Sequence, residues 1–169
     1  MMMFDPQTRL LAHLDQLGIV PTLHSHPPLF TVADSQALRG DLPGLHSKNL
    51  FLKDKKDALW LLVVEETRDI RINHLHKSLG CGRLSFGNPD LLFDILGVTP
   101  GSVSPFALIN DRETRVNVAF DRMLMEGDTL NFHPLRNDRT AAIAPDDLLK
   151  FVESLGHHPV IIDFSTVPA

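Results

Sequence analysis

Nine histidines are the residues of this chain whose chemistry is most versatile, because imidazole binds metals and transfers protons near neutral pH. His24 and His26 lie two apart on a predicted strand and share a face, but no third ligand is evident. His74 and His76 lie two apart on a predicted helix and point in different directions, while the pair at 157–158 falls in a turn. None of these spacings is that of a zinc site, so we expect neither a metal nor another cofactor.

A side-chain nucleophile is not supported either. The sequence contains no G-x-S-x-G elbow, P-loop, G-x-G-x-x-G fingerprint or H-E-x-x-H helix. The single cysteine, Cys81, excludes an internal disulfide and a multi-cysteine zinc site. A small buried residue is a commoner role for it than a nucleophile.

Two segments are unusual. Residues 97–106 run through two glycines and two prolines, a density that fixes a tight backbone path and can leave several N–H groups pointing into one cavity. On composition alone, a plain connector between a helix and a strand explains this segment better. The second is Lys48-Asn49, a polar pair that begins a predicted strand directly before the apolar residues 50–52.

Charge and hydropathy limit the possible partners. The net charge of −5 argues against DNA and against any RNA contact that uses the whole surface. A local basic group exists, although a solvated rim is its commoner explanation: Lys48, Lys53, Lys55, Lys56, Lys77 and Arg83. The longest apolar run, 58–64, is too short for a membrane span, and the N-terminus has no secretory signal, so we expect a cytosolic protein.

The pattern of apolar residues and turn signals predicts one domain over residues 1–169. We expect helices at 6–17, 31–38, 73–79, 88–96 and 145–155, and strands at 22–24, 48–53, 58–65, 106–110, 116–120, 129–134, 140–143 and 159–164, the last of them buried. The charged turn at 54–57 predicts a hairpin. Short helices among hairpins indicate the α/β class with a mixed, largely antiparallel sheet.

Three segments together carry a resemblance to a known family: His46-Ser47-Lys48-Asn49-Leu50-Phe51-Leu52-Lys53-Asp54, the loop Gly101-x-x-x-Pro105, and Asn131-Phe132-His133-Pro134. In order and spacing they resemble the editing domain inserted in bacterial prolyl-tRNA synthetases and its free-standing relatives, often called the YbaK family. The resemblance spans nearly the whole chain. It implies a barrel-like sheet wrapped by helices and hydrolysis of mischarged tRNA. The Lys-Asn-Leu-Phe-Leu strand and its charged turn resemble the free-standing deacylases that act on alanine-charged proline tRNA.

The resemblance suggests a role for each segment. An aminoacyl ester is already reactive, so backbone N–H groups of the loop can bind the developing oxyanion, each typically worth roughly 2.7–4 kcal/mol, while a ribose hydroxyl helps to activate water. The expected catalytic residues are Lys48, Gly101, Ser102, Val103, Ser104, Pro105 and His133. Lys48 would hold a terminal phosphate, Asn49 and Arg83 would read or brace the acceptor end, and the expected apolar lining is Val32, Leu38, Phe51, Val63 and Phe106.

Selectivity would follow from size. A synthetase pocket built for proline cannot strongly reject alanine, since a few missing carbons are worth about 1–3 kcal/mol, whereas a second, smaller pocket excludes proline by steric clash. The expected partners are the acceptor end of proline tRNA and, as a further candidate, prolyl-tRNA synthetase. Two alternatives remain open: a deacylase for cysteine-charged tRNA, and a non-catalytic module that binds tRNA or the synthetase.

Overall fold

The structure is a computed structural model that describes residues 5–28 and 42–166. The helix predicted at 31–38, with Val32 and Leu38, lies outside the described residues. Within the described ranges the α-helices are α1 Pro6–Gln16, α2 Ile72–Leu79, α3 Pro89–Leu96, α4 Arg122–Met125 and α5 Pro145–Ser154. The strands are β1 Thr22–Ser25, β2 Leu45–Asp54, β3 Leu59–Glu65, β4 Leu84–Phe86, β5 Val116–Asp121, β6 Leu130–Phe132, β7 Arg139–Ile143 and β8 Val160–Ile162.

Local signals explain the helix ends. Pro6 begins α1, where its missing N–H costs no hydrogen bond, although the preceding Asp5 makes no side-chain cap. The side chain of Asn88 caps α3 by accepting a hydrogen bond from the Leu91 amide. Gly97 then ends α3 with φ of 67°, a left-handed conformation that glycine adopts without a steric penalty. No helix among the described residues is long and apolar enough to cross a membrane.

The strands form one mixed sheet in the order β1-β7-β6-β2-β3-β5-β8, with β4 also paired to β2. Antiparallel pairs join β1 to β7, β2 to β3, β2 to β4 and β6 to β7. Parallel pairs join β2 to β6, β3 to β5 and β5 to β8. This confirms the predicted class, a mixed and mainly antiparallel α/β fold. Among the described strands the path ends at β1 and β8, so the sheet is barrel-like without being a closed barrel.

Alternation along the strands separates two apolar clusters, one on each face of the sheet. In β3, Leu61 and Val63 belong to the main core, which α1, α3 and α5 cover, whereas Leu62 and Val64 belong to the second core, which α2 covers through Leu75. The hairpin between β2 and β3 forms at 54–57 as predicted. Because β2 is paired in continuous register with β3, every side chain of β2 can be assigned to one face.

Two predicted strands were wrong in type or burial. Residues predicted as a strand at 106–110 instead form a 3-10 helix, Pro105–Asn110, whose successive residues 105–108 are all buried. A short apolar run between helices fits either structure, and Pro105 at its start favours the helical turn. The closing strand is β8, but it lies at the sheet edge, where Val160 and Ile161 are 45% and 43% exposed.

Candidate functional site

Polar side chains collect on one face of the sheet where β2 lies beside β6. The parallel register places His46 next to Asn131. Lys48 shares a face with His46, because side chains two apart on a strand point the same way. In the same manner Asn131 and the following His133 point away from the main core, into which the intervening Phe132 packs. We call His46, Lys48, Asn131 and His133 the polar face. Lys48 and His133 thus come to one side of the sheet.

The protonation state of His133 follows from its contacts. Its Nδ1 lies 3.0 Å from the carbonyl oxygen of Arg139. Since a carbonyl oxygen only accepts hydrogen bonds, Nδ1 carries the proton and Nε2 keeps a free lone pair. Burial lowers the pKa of His133 below its ordinary value, and the nearby His26 and His46 lower it further, against the opposing effect of the Arg139 carbonyl. The ring is therefore neutral at pH 7.

His26 reaches the same region from the end of β1. Its ring centroid is 6.1 Å from that of His133, and its Nε2 lies 2.8 Å from the hydroxyl of Thr140. Its Nδ1 lies 2.8 Å from the carbonyl oxygen of Pro27. The ring nitrogens that face these partners are not free to ligate a metal. Over residues 5–28 and 42–166, no group of three His, Cys, Asp or Glu side chains is arranged to hold one.

The loop Gly101–Pro105 is tied to the backbone of His133 through Ser104. Ser104 is fully buried, and its hydroxyl donates a hydrogen bond of 2.7 Å to the carbonyl oxygen of His133. Val103 packs into the main core, which fixes the other side of the loop. The Ser102 amide donates to the Thr99 carbonyl at 2.9 Å, so it is not available to a ligand. Among the described residues, the Ser104 amide has no acceptor.

Lys48 is connected to a buried carboxylate. Its Nζ donates to the backbone carbonyl of Arg68, and the Arg68 Nε donates to Asp121 Oδ2 at 2.7 Å. Asp121 is fully buried and also accepts hydrogen bonds from the amides of Glu65 and Met123, each at 3.0 Å. The ends of β3 and β5 thus fix the turn that contacts Lys48. The sequence prediction missed Arg68 and Asp121, because neither lies in a motif.

Residues 26–151 match the family of the aminoacyl-tRNA editing domain. The chain belongs to this family. The matched range contains β2 and β6, which carry the polar face, and the Gly101–Pro105 loop, which Ser104 ties to the His133 carbonyl.

The chain matches relatives of this editing domain over almost their full length. The chain is 39% identical to prolyl-tRNA synthetase associated domain-containing protein 1 of Xenopus laevis, over 95% of this chain and 98% of that protein. It is 33% identical to the prolyl-tRNA editing protein ProX of Acetoanaerobium sticklandii, over 90% of this chain and 94% of that protein. The crystal structure of a candidate trans-editing enzyme for prolyl tRNA synthetase shares the fold, with a TM-score of 0.72, 17% identity, and coverage of 96% of this chain and 98% of that chain. The resemblance to prolyl-tRNA editing domains is thereby confirmed.

Several residues that the sequence assigns to the site of this editing domain do not lie on the polar face. Phe51, Val63 and Phe106 are at most 5% exposed and pack in the main core, on the opposite face from Lys48. Asn49 alternates with Lys48 and points to that opposite face too. Its Nδ2 donates to the hydroxyl of Ser47 at 3.2 Å, and its buried Oδ1 has no partner among the described residues.

Arg83 is also separate from the polar face. It is exposed and lines a cleft between α2 and β4. β4 pairs with the far end of β2, at residues 52–54, whereas Lys48 lies near the start of that strand. The structure therefore does not bring Arg83 to the Lys48 ammonium.

Proposed function

We propose that the chain is an aminoacyl-tRNA deacylase that acts in the cytosol on alanine-charged proline tRNA. The single observation that carries this proposal is that Lys48 and neutral His133 share one side of the sheet, while Ser104 ties the Gly101–Pro105 loop to the His133 carbonyl. Kinship with a protein named for prolyl-tRNA editing supports the choice of tRNA. Prolyl-tRNA synthetase, which mischarges this tRNA in the proposed scheme, is the proposed partner.

The proposed reaction is hydrolysis of the ester between the amino acid and the terminal ribose. Water attacks the ester carbonyl carbon, the bond from that carbon to the ribose oxygen breaks, and the ribose oxygen takes a proton. The products are the free amino acid and uncharged tRNA. The amides of Gly101, Val103 and Ser104 stabilise the negative oxygen of the intermediate, and one such donor is typically worth roughly 2.7–4 kcal/mol. Pro105 restricts the backbone that follows these donors.

Lys48 and His133 have separate proposed roles. The Lys48 ammonium, which the Arg68 carbonyl holds in place, binds a phosphate near the tRNA terminus as a point charge. The free Nε2 of neutral His133 accepts a hydrogen bond from the terminal ribose hydroxyl, which orients the attacking water. Neither role needs a covalent enzyme intermediate, in keeping with the absence of a nucleophile motif from the sequence.

The test is release of amino acid from proline tRNA charged with alanine, cysteine or proline. We expect alanine to be released fastest and proline to be retained. Lys48→Ala should lower kcat/KM for the alanine ester by about 100-fold, equivalent to roughly 2.7 kcal/mol, without a change in melting temperature. Lys150→Ala is the matched control, because Lys150 also donates to a backbone carbonyl, that of Leu17, but from α5 on the opposite face.

Each alternative gives a different result. Faster release of cysteine than of alanine would assign the chain to cysteine editing. Binding of charged tRNA without hydrolysis would show a non-catalytic module. Equal activity of the Lys48→Ala variant and the wild-type protein would refute the role of the lysine.

A further inference from the structure

A basic cleft between α2 and β4 is separate from the polar face. Its volume is about 460 Å³. It is lined by Asn73, His74, His76, Lys77, Arg83 and Leu84. Lys77 and Arg83 are both exposed, and no carboxylate is in the lining. The cleft therefore presents two permanent cations and two imidazoles to solvent.

The hairpin between β2 and β3 contacts Gly82, the residue that precedes Arg83 of the cleft. The Asp54 carboxylate of this hairpin accepts backbone hydrogen bonds from Lys56, Ala58 and Gly82 at 2.8–3.1 Å. Gly82 packs closely against Lys55, since a Cβ at Gly82 would lie 3.5 Å from the Lys55 Cβ. A further lysine of the hairpin therefore lies close to the cleft.

Positive charge is also concentrated in the part of the sequence that contains the cleft. Residues 48–83 contain eight Lys and Arg against five Asp and Glu, a net charge of +3, whereas the whole chain has −5. Concentrated cations favour an anionic ligand that carries several oxygen atoms.

The position of the cleft defines which part of a ligand it can reach. β4 pairs with β2 at Lys53 and Asp54, five or six residues beyond Lys48. At about 3.3 Å per residue the two regions are separated by roughly 17–20 Å. Both lie on the face of the sheet that α2 covers, since Leu52 and Leu75 share the second core. One extended polyanion can therefore contact both, but no single phosphate can.

We propose that this cleft binds the phosphodiester backbone of the tRNA at a point distant from the terminus held by Lys48. The identity of the ligand rests on the proposed function, while the cleft and its charge do not. Arg83 is then a contact to the body of the RNA, not to its acceptor end. Binding here adds affinity for the whole tRNA without taking part in ester hydrolysis.

The test compares two double variants that each remove one lysine and one arginine. Lys77→Gln with Arg83→Gln removes the cleft cations. Arg9→Gln with Lys150→Gln removes the same charge from α1 and α5, which cover the opposite face. The probe is uncharged proline tRNA, and its Kd is measured between 50 and 200 mM salt (about the usual range for such titrations). Melting temperatures verify that each variant is folded.

We expect the cleft variant to bind tRNA about tenfold more weakly at low salt, and the slope of log affinity against log salt to become shallower by about 2, one for each lost phosphate contact. The control variant should keep the wild-type slope. Equal slopes and affinities for both variants would overturn the proposal. The proposal would also be overturned if the cleft variant bound tRNA normally while polyglutamate displaced the wild-type protein from tRNA. That pair of results would favour an acidic protein partner.

A second measurement separates this inference from the deacylase activity. On a short alanine-charged acceptor fragment that ends before the cleft, the cleft variant should show the wild-type kcat/KM, whereas on full-length tRNA its KM should rise about tenfold. A wild-type protein with no deacylase activity would refute the proposed function, yet the binding measurement with uncharged tRNA would still decide the role of the cleft.

Discussion

Asp121→Asn tests whether the buried carboxylate organises the turn that contacts Lys48. Asp121 is fully buried and accepts three hydrogen bonds, two at Oδ2 and one at Oδ1. An asparagine has nearly the same shape, but it replaces one acceptor oxygen by an NH₂ group and removes the charge. If its remaining oxygen takes the Oδ2 position, its NH₂ faces the Met123 amide, so two donors are left opposite each other in a dry site.

The expected loss can be estimated from these contacts. An unsatisfied buried donor costs about 1–3 kcal/mol. The ion pair with Arg68 adds about 1 kcal/mol and no more, because the Arg68 side chain is 26% exposed and water screens the interaction. We therefore expect Asp121→Asn to lower the free energy of unfolding by about 2–4 kcal/mol. This is at or below the cost of about 3–5 kcal/mol for breaking a pair that is fully buried.

The assay is urea denaturation, with deacylation of alanine-charged proline tRNA as a second readout. Asp146→Asn is the control, because Asp146 is an exposed carboxylate in the first turn of α5 and its loss should cost about 0.5 kcal/mol. At temperatures where Asp121→Asn remains folded, its kcat/KM should still be lower, because the Arg68 carbonyl no longer holds the Lys48 ammonium in place. A free energy of unfolding within about 0.5 kcal/mol of wild type would refute the reasoning.

Three further changes have expected outcomes of their own. Ser104→Ala leaves a buried carbonyl without its donor, so it should cost about 1–3 kcal/mol of unfolding free energy and reduce kcat. Ser102→Ala should do neither, because the Ser102 hydroxyl makes no such bond to any residue that the structure describes; equal effects of the two changes would contradict this reasoning. Gly87→Ala would place its Cβ 2.4 Å from a phenylalanine ring, so it should lower the free energy of unfolding, measured by urea denaturation, by about 1–3 kcal/mol. Gly82→Ala is the control and should be nearly neutral, because its Cβ would make ordinary contacts at 3.4 Å. Burial lowers the pKa of His157 from 6.5, so below that pH the unfolded chain takes up a proton that the folded chain does not. The free energy of unfolding should therefore fall as the pH is lowered from 7.5 to about 5.5, and it should fall less in His157→Gln. If the variant and the wild-type protein lose the same amount between these two pH values, His157 is not the cause.

Elements defined by local signals could be predicted from the sequence. The hairpin at 54–57 and the start of α3 at Asn88-Pro89 depend on residues adjacent in the chain, and both form where expected. The 3-10 helix at Pro105–Asn110 was missed because a short apolar run has no clear period. Its burial is decided by packing against distant residues, as the edge-to-face contact between Phe106 and Phe132 shows, with ring centroids 6.0 Å apart.

The candidate site could be predicted only in part, for the same reason. The family resemblance identified Lys48 and His133 one by one, but nothing in the local sequence states that β2 lies parallel to β6. That pairing decides which side chains face each other. Asn49, adjacent to Lys48 in sequence, points to the other face because successive side chains of a strand alternate. Arg68 and Asp121 are separated by 53 residues and meet only after β3 and β5 are paired.

The length of β2 sets the distance between the two proposed RNA contacts. Its first residues pair with β6 and its last with β4, so one ten-residue strand carries the polar face at one end and supports the basic cleft at the other. Between them, Leu50 and Leu52 pack in or against the second core with Leu75 of α2, which keeps the strand and the helix in one arrangement. Because a packed strand changes little in length, the spacing of roughly 17–20 Å between the contacts is fixed by the fold. Recognition of the tRNA body can then position the ester at the polar face without any movement within β2, and loosening of the second core should weaken the binding of whole tRNA more than hydrolysis of a short acceptor fragment.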